Sequence, residues 1–323
     1  MKILITGCAG FIGFHLSKYL LTKKKLIIYG IDNLNNYYDL ELKKNRLSLL
    51  KKNKNKFHFY KIDIRDKKKL LSIFSKNKFD VVINLAAQAG VRYSIDDPNS
   101  YLENNIIGFF NILDCIRKKK VRHLLFASTS SVYGNNMNFP LKESSNTDHP
   151  LSFYAATKKS NEVMAYSFSN IYKIPCTCLR FFTVYGPYGR PDMSLFKFTD
   201  LISKNKQIQL FNKGNHYRDF TYIDDVVISI YKLINKIPKQ KIPYDVFNIG
   251  SSNPKHLRTF LSLIEDNLNK KAKIKSLPMQ LGDVFKTHAS SYNLYQKIRY
   301  KPKMSLKLGI KKFVKWYKNY YLY

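Results

Sequence analysis

The opening thirteen residues, MKILITGCAGFIG, restrict the fold more than any other stretch of this 323-residue chain. KILIT reads as a buried strand. Gly7, Gly10 and Gly13 follow at once and open a helix that carries Phe11, Ile12, Leu16, Leu20 and Leu21 as far as about Lys23. A strand that turns on glycines into a helix offers backbone N–H groups and the positive end of the helix dipole to an anion, with no side chain in the way. Such a turn suits a pyrophosphate. The spacing is GxxGxxG rather than GxGxxG, and three glycines can also be ordinary turn formers. The second strand, LIIYGID, weighs against that simpler reading. It ends at Asp32, 19 residues beyond Gly13, where a carboxylate meets the adenosine ribose hydroxyls of a dinucleotide and repels a 2′-phosphate, favouring NAD over NADP.

Strand and helix then keep alternating. A charged helix from about Asp39 to Lys52 leads to the strand FHFYKIDI, a helix from about Asp66 to Ser75, and the strand VVINLAA. Residues 98–119 read as one long helix begun by Pro98, followed by the strand HLLFAST, a helix running to about Tyr172, and the strand CTCLRFFTVYG. This is the rhythm of a parallel sheet with helices on both faces. After Gly186 it breaks: GPYGRPDM holds two glycines and two prolines, a loop where open α/β sheets place ligands. Shorter pieces follow, including QIQLF, YRDFTYIDD leading into a helix, DVFNIG, and helices near 256–268, 292–299 and 305–319. The expected class is α/β. A doubly wound dinucleotide-binding domain covers residues 1–186, with parts of 219–250 returning to it, and 187–323 form mainly a smaller, mixed substrate lobe.

A net charge of +34 raises nucleic acid or an anionic surface as partner. The lysines lie along the whole chain at expected helix ends and turns, so they read as compositional bias on solvated faces rather than as a dedicated patch. Cys8, Cys115, Cys176 and Cys178 lack CxxC spacing and fall in apolar contexts, as buried thiols of a reducing cytosol do. The N-terminus does not read as a signal peptide, and no apolar run reaches membrane-spanning length. The C-terminal WYKNYYLY reads as the frayed end of a packed helix. His149 and His216 have no partners at metal-ligand spacing, so no metal is expected.

Tyr154 and Lys158, in YAATK, lie one helical turn apart on one face, where an ammonium can sit beside a ligand that the phenol also touches. A phenol of pKa about 10 can be lowered by roughly one to three units by a neighbouring positive charge, toward base strength. With 24 tyrosines in the chain, that spacing alone is coincidence-prone. Its setting gives it weight.

TGCAGFIG, Asp32, DIRD, NLAAQAGVRYS, STSSVYG, YxxxK and RFFTVYGPYGRPDM, in this order, resemble the extended short-chain dehydrogenase/reductase superfamily and, within it, the nucleotide-sugar epimerases. The resemblance runs to about residue 290. It implies a Rossmann domain holding tightly bound NAD, a homodimer pairing the helices near 98–119 and 154–172, and a cytoplasmic enzyme. Tyr154 would be the base and acid, Lys158 would bond the nicotinamide ribose, and Thr129 would fill the family's Ser/Thr position. Around the cofactor it implies Gly7, Gly10, Phe11, Ile12, Gly13, Asp32, Asn33, Asp63, Ile64, Ala86, Ala87 and Gln88. Related 4,6-dehydratases carry an Asp-Glu pair where this chain has Ser130 and Ser131, and related decarboxylating enzymes keep a Glu there. Two hydroxyls cannot supply that proton transfer but can bind a substrate, which leaves oxidation and re-reduction at one carbon.

For the substrate, Arg218 matches the family's diphosphate-binding arginine, and Thr183 stands where related epimerases touch the sugar. Arg190 suits a carboxylate held by two parallel bonds, completed by Ser130 and Ser131. AAQAGVRYS, with Arg92, and YGPYGRPDM are similar to the UDP-glucuronate 4-epimerases, which supply galacturonate for surface polysaccharide; UDP-glucose and UDP-N-acetylglucosamine are the alternatives. The bland reading is that Arg190 and Arg92 simply pair with Asp192 or Asp96 on the surface. Asp283, also expected at the substrate, is followed by HASS at His288–Ser291 where such epimerases show an Asp, a departure that weakens its assignment. A non-catalytic nucleic-acid-binding relative and a redox enzyme with net NAD turnover are the readings from other classes.

Overall fold

The computed structural model describes residues 1–280 and 282–322; Leu281 and the last residue of WYKNYYLY, Tyr323, lie outside it. Among the described residues there are twelve strands: β1 Lys2–Thr6, β2 Ile27–Asp32, β3 Phe57–Lys61, β4 Val81–Asn84, β5 His123–Thr129, β6 Cys176–Phe181, β7 Thr183–Tyr185, β8 Gln207–Phe211, β9 Tyr217–Tyr222, β10 Tyr244–Ile249, β11 Pro254–His256 and β12 Lys273–Leu277. Seven of them form one parallel sheet in the order β10-β6-β5-β4-β1-β2-β3.

The strand order reverses between β1 and β4, so the connections leaving these two strands diverge and open a crevice at their C-terminal ends. Burial on both faces explains why the central strands are continuous apolar runs such as VVIN. Alternate side chains feed two cores. Ile3, Ile5, Ile28, Val81, Ile83 and Leu125 pack on one side beneath the helix Phe11–Leu21, while Leu4, Tyr29, Val82, Leu124, Phe126, Cys176 and Cys178 pack on the other beneath the helices Lys67–Lys76 and Gly108–Lys119. All four cysteines are buried and free.

β10 extends the large sheet beside β6, and the helix Ile223–Ile234 contributes Val226, Ile230 and Leu233 to the core beneath Phe11–Leu21. The remaining strands make a three-stranded sheet, β11-β9-β7, and a parallel pair, β12-β8. β7, β11 and β12 are too short or too exposed to show alternation in the sequence.

The long helix expected over 98–119 is a run of three segments of two helical types: α-helical Pro98–Tyr101, a π-helical stretch Leu102–Ile107, and α-helical Gly108–Lys119. The widened turn brings Asn105 inward. Its side chain accepts from Gln88 N at 2.8 Å and donates to Gln88 O and Thr157 Oγ1, both at 3.0 Å. Bulges of this kind recur beside functional sites. Here it clamps the connection after β4. No helix among the described residues is long and apolar enough to cross a membrane.

Candidate active site

A cavity of about 430 Å³ opens along the C-terminal ends of β1, β4 and β5 and runs to the loop Gly186–Met193. At one end the glycine turn forms its floor. Gly7 has φ +70°, and a Cβ there would stand 2.8 Å from Ala86 N; at Gly13 it would stand 2.1 Å from Gly7 O. The glycines therefore allow β1, the connection after β4 and the first helical turn to close on one another. The helix Phe11–Leu21 has no side-chain cap at Gly10, so its first N–H groups remain available to an anion. Beside it the Gln88 amide Nε2 is buried without a partner. An anion-ready helix start, a turn that excludes side chains and an orphaned donor fit a dinucleotide.

Asp32 lies at the cavity edge, its carboxylate accepting from Ala9 N at 3.0 Å and Leu34 N at 2.9 Å. Burial raises its pKa, opposed by those bonds and by Lys43. Asn33, Ile64, Ala86, Ala87 and Gln88 line the same end. Asp63 does not. It is bonded to Asn33 Nδ2 at 2.9 Å and paired with Arg65; burial pushes its carboxyl up, but the hydrogen bonds from Arg65 and Asn33 together with the Arg65 charge hold it below its usual value.

The helix Phe153–Tyr172 begins with Ser152 capping Ala155 N at 3.2 Å and directs Tyr154 and Lys158 into the middle of the cavity. Lys158 is buried and donates to Ala127 O on β5 at 2.9 Å. Burial lowers its pKa to about 8, against the pull of Cys178 and Glu162. Tyr154 also differs from expectation. Burial raises its pKa, and the positive charge that opposes this is Arg190, followed by a hydrogen bond with Thr129. The lysine, anchored to a backbone carbonyl, is not what tunes the phenol in the cofactor-free protein. Thr129 ends β5, accepts from Ser131 N at 3.2 Å and donates to Ser131 Oγ at 3.2 Å, so Thr129, Ser130 and Ser131 turn together onto the cavity wall.

At the far end the cavity is lined by Thr183, Arg190, Arg218 and Asp283. Arg190 pairs with Asp192, Nε to Oδ1 at 3.0 Å and Nη2 to Oδ2, which is the bland pairing foreseen for it, but inside the cavity rather than on the surface. Arg218 bonds Asp283 at 2.7 Å and the carbonyl of Phe285 at 3.1 Å. Arg92 does not line the cavity itself: beyond Gly90, with φ +111°, it precedes a short helix, its guanidinium 4.8 Å from the Phe211 ring centroid and within electrostatic reach of Asp283 and Arg218 at the substrate end. HASS is explained by its backbone: Ala289 N donates to the buried Asp219 at 3.0 Å, and Ser290 N and His288 O bridge to Leu141. It braces the substrate end and offers no acid.

The family model described as the NAD dependent epimerase/dehydratase family matches residues 3–250. The chain belongs to that family. It is 47% identical to Protein CapI of Staphylococcus aureus, over 99% of both chains, and 41% identical to a probable UDP-glucuronate 4-epimerase of Rhizobium meliloti, over 99% of this chain and 98% of that one. The solved UDP-glucuronic acid 4-epimerase of Bacillus cereus, in complex with UDP-glucuronic acid and NAD, superposes with a TM-score of 0.93 at 33% identity, covering 99% of this chain and 100% of that one.

Several residues of this epimerase-family cavity escape sequence reasoning. Tyr37, Tyr38 and Lys43 line it from the segment after β2, with Lys43 Nζ donating to Asn35 O at 2.7 Å and sitting 4.4 Å from the Tyr38 ring centroid. Burial brings the Lys43 pKa to about 8, opposed by Asp32. Asn104 enters through the π-helical stretch. Outside the cavity lining, Glu162, one further turn along from Lys158, accepts from the lining residue Ser128 through its Oγ at 2.6 Å and forms a buried pair with Arg180 at 2.7 Å. The signals were present as NNYYD, a helical Asn pair and a helical Glu on an apolar face, each equally compatible with a solvated position.

Proposed function

We propose that this chain is an NAD-dependent 4-epimerase interconverting UDP-glucuronate and UDP-galacturonate. The observation that carries the reading is that Tyr154, Lys158, the hydroxyls of Ser130 and Ser131, and the Arg190 guanidinium line one cavity with the glycine turn. Asp32 and the open N-terminus of the helix Phe11–Leu21 hold the cofactor's adenosine ribose and diphosphate. When bound, NAD supplies the acceptor and donor of the C4 hydride, so no net oxidation accumulates.

Tyr154 removes the proton from the sugar 4-hydroxyl as the C4 hydride leaves. It returns that proton to the 4-oxygen after the 4-keto sugar has turned and regained the hydride on its other face. Lys158, held by Ala127 O, bonds the nicotinamide ribose. Thr129 bonds the phenol, and Arg218 takes the UDP diphosphate. Ser130, Ser131, Thr183 and Arg190 face the sugar, where the C5 carboxylate of a uronate finds a cation and hydroxyl donors. No carboxyl stands at positions 130 and 131 to drive elimination.

One observation favours a neutral sugar: Arg190 already has a carboxylate partner in Asp192. Incubation with UDP-glucuronate, UDP-glucose and UDP-N-acetylglucosamine separately, with NMR analysis of the products, separates the two. Turnover of UDP-glucose alone would reject the uronate reading. The reading also takes the protein as a cytoplasmic homodimer serving polysaccharide synthesis. Exposed Ile107, Phe110, Val163 and Tyr166, on the two helices expected to pair, support the dimer.

A further inference from the structure

Arg46 is completely buried, and its four acceptors are all neutral oxygens. From the helix Leu40–Lys51, Nη1 donates to Ala9 O in the glycine turn at 2.9 Å and to Tyr38 Oη at 2.8 Å; Nη2 donates to Tyr188 O at 2.7 Å and Gly189 O at 3.3 Å. Next to these, His15, on the helix Phe11–Leu21, bonds Pro187 O at 2.8 Å. Burial holds that imidazole neutral, so one ring N–H donates to the carbonyl. Three consecutive carbonyls, at 187, 188 and 189, are thus held by side chains of the cofactor-binding half, and the next residue is Arg190.

Among the described residues Arg46 has no ion-pair partner; a buried cation of that kind is costly to keep, and a stem of this length could be replaced by apolar packing. What the guanidinium supplies is geometry: its planar fork reaches two segments 180 residues apart in the chain, one at Ala9 and one at Gly189. Ala9 is fixed from its other side as well, since Ala9 N donates to Asp32. A continuous path therefore runs from the carboxylate that meets the cofactor ribose, through Ala9 and Arg46, to the loop that presents Arg190. Tyr188 in that loop has φ +55°, a conformation a non-glycine residue keeps only when its surroundings hold it.

We propose that Arg46 is a positioning residue that locks the loop bearing Arg190 to the cofactor turn, and so sets how the sugar carboxylate is received. It touches neither substrate nor reacting atoms. The inference rests on the reading that Arg190 faces a uronate.

The test uses the holoenzyme with Arg46→Met, Arg46→Lys and Arg190→Ala in parallel, measuring KM and kcat with UDP-glucuronate, Kd for UDP, and NAD content. Arg46→Met is expected to raise KM for UDP-glucuronate about tenfold while Kd for UDP changes less than twofold and NAD stays bound, with Arg46→Lys intermediate. Equal weakening of UDP and UDP-glucuronate, or loss of NAD, would make Arg46 a general structural residue and overturn the proposal. So would an unchanged KM. If Arg46→Met does not fold, Arg46→Lys is judged by the same criteria, since a point donor cannot bridge both segments. If Arg190→Ala leaves the UDP-glucuronate KM unchanged, the uronate reading fails, whatever Arg46 does; if only Arg190→Ala shifts it, the reading stands and the positioning role falls.

Discussion

Arg190 and Asp192, two residues apart in one loop, form a two-point pair on the cavity wall beside Tyr37, whose hydroxyl donates to Asp192 at 3.4 Å. Burial disfavours charge on both partners. Their mutual attraction outweighs it, raising the arginine pKa and lowering that of the aspartate. On the proposed uronate reading, a substrate carboxylate would meet a guanidinium already paired with Asp192, and Asp192 would moderate affinity for the uronate. Asp192→Asn should lower Kd for UDP-glucuronate severalfold and leave Kd for UDP unchanged. Arg190→Ala, which removes a charged donor pair, should weaken UDP-glucuronate about 10- to 100-fold. Titration calorimetry with both ligands checks each sign.

Tyr154→Phe removes the hydroxyl to which the proposed mechanism assigns the proton transfer and leaves the ring that packs against Tyr101. The loss of kcat should be on the order of 10²- to 10⁴-fold, with NAD and UDP-glucuronate still bound. Retained turnover would mean that another group moves the proton.

Lys158 makes the opposite kind of prediction. Its folded pKa, about 8, lies below the ordinary 10.5 of the unfolded chain. Between those values the unfolded state binds more protons, so stability of the cofactor-free protein rises with pH across that window, and below it the buried ammonium is a standing cost. Lys158→Met should abolish activity, stabilise the cofactor-free protein at pH 7 by on the order of 1–3 kcal/mol, and flatten the dependence of the urea midpoint between pH 8 and 10.

The order of the large sheet was legible because each layer announced itself: β1, β4 and β5 are apolar on both faces, and the glycines can be satisfied only by a turn against β4. Tyr154 and Thr129 were legible as chemistry at known spacing. What could not be read was direction. Arg92 and Arg190 are the same residue type in equally suggestive segments, yet only Arg190 lines the cavity, while Arg92 lies beyond Gly90 against the Phe211 ring. Arg46 looked like one more basic residue on a charged helix, because nothing local marks a guanidinium whose partners lie at residues 9 and 188. The π-helical stretch was hidden for the same reason: its cause, the clamp from Asn105 to Gln88, is tertiary.

Gly13→Ala tests whether the turn is fixed sterically. Its Cβ would fall 2.1 Å from Gly7 O and 3.0 Å from the Cys8 Cα, both backbone atoms that cannot rotate away. The turn must open, at a cost of about 1–3 kcal/mol or more. Purified Gly13→Ala should carry little NAD and melt earlier, whereas a variant with full NAD content would show that the turn has slack.

The last prediction concerns acid. His123 is fully buried on β5, bonded to Ile234 O at 3.0 Å and Thr177 Oγ1 at 2.8 Å, and burial lowers its pKa to about 4; His15 is lowered to about 3 by the same cause. In the unfolded chain both titrate near 6.5. As pH falls below that value the unfolded state takes up protons that the folded state refuses, so stability is full above about pH 6.5 and is lost progressively toward pH 4. The urea midpoint should therefore drop between pH 7 and pH 5 well before the carboxylates titrate. His123→Gln, which removes one of these titrating imidazoles (the buried His216 is lowered as well) while retaining a donor and an acceptor, should shrink that drop, even though the substitution lowers the midpoint at pH 7. An unchanged difference between the two pH values would place the acid sensitivity elsewhere.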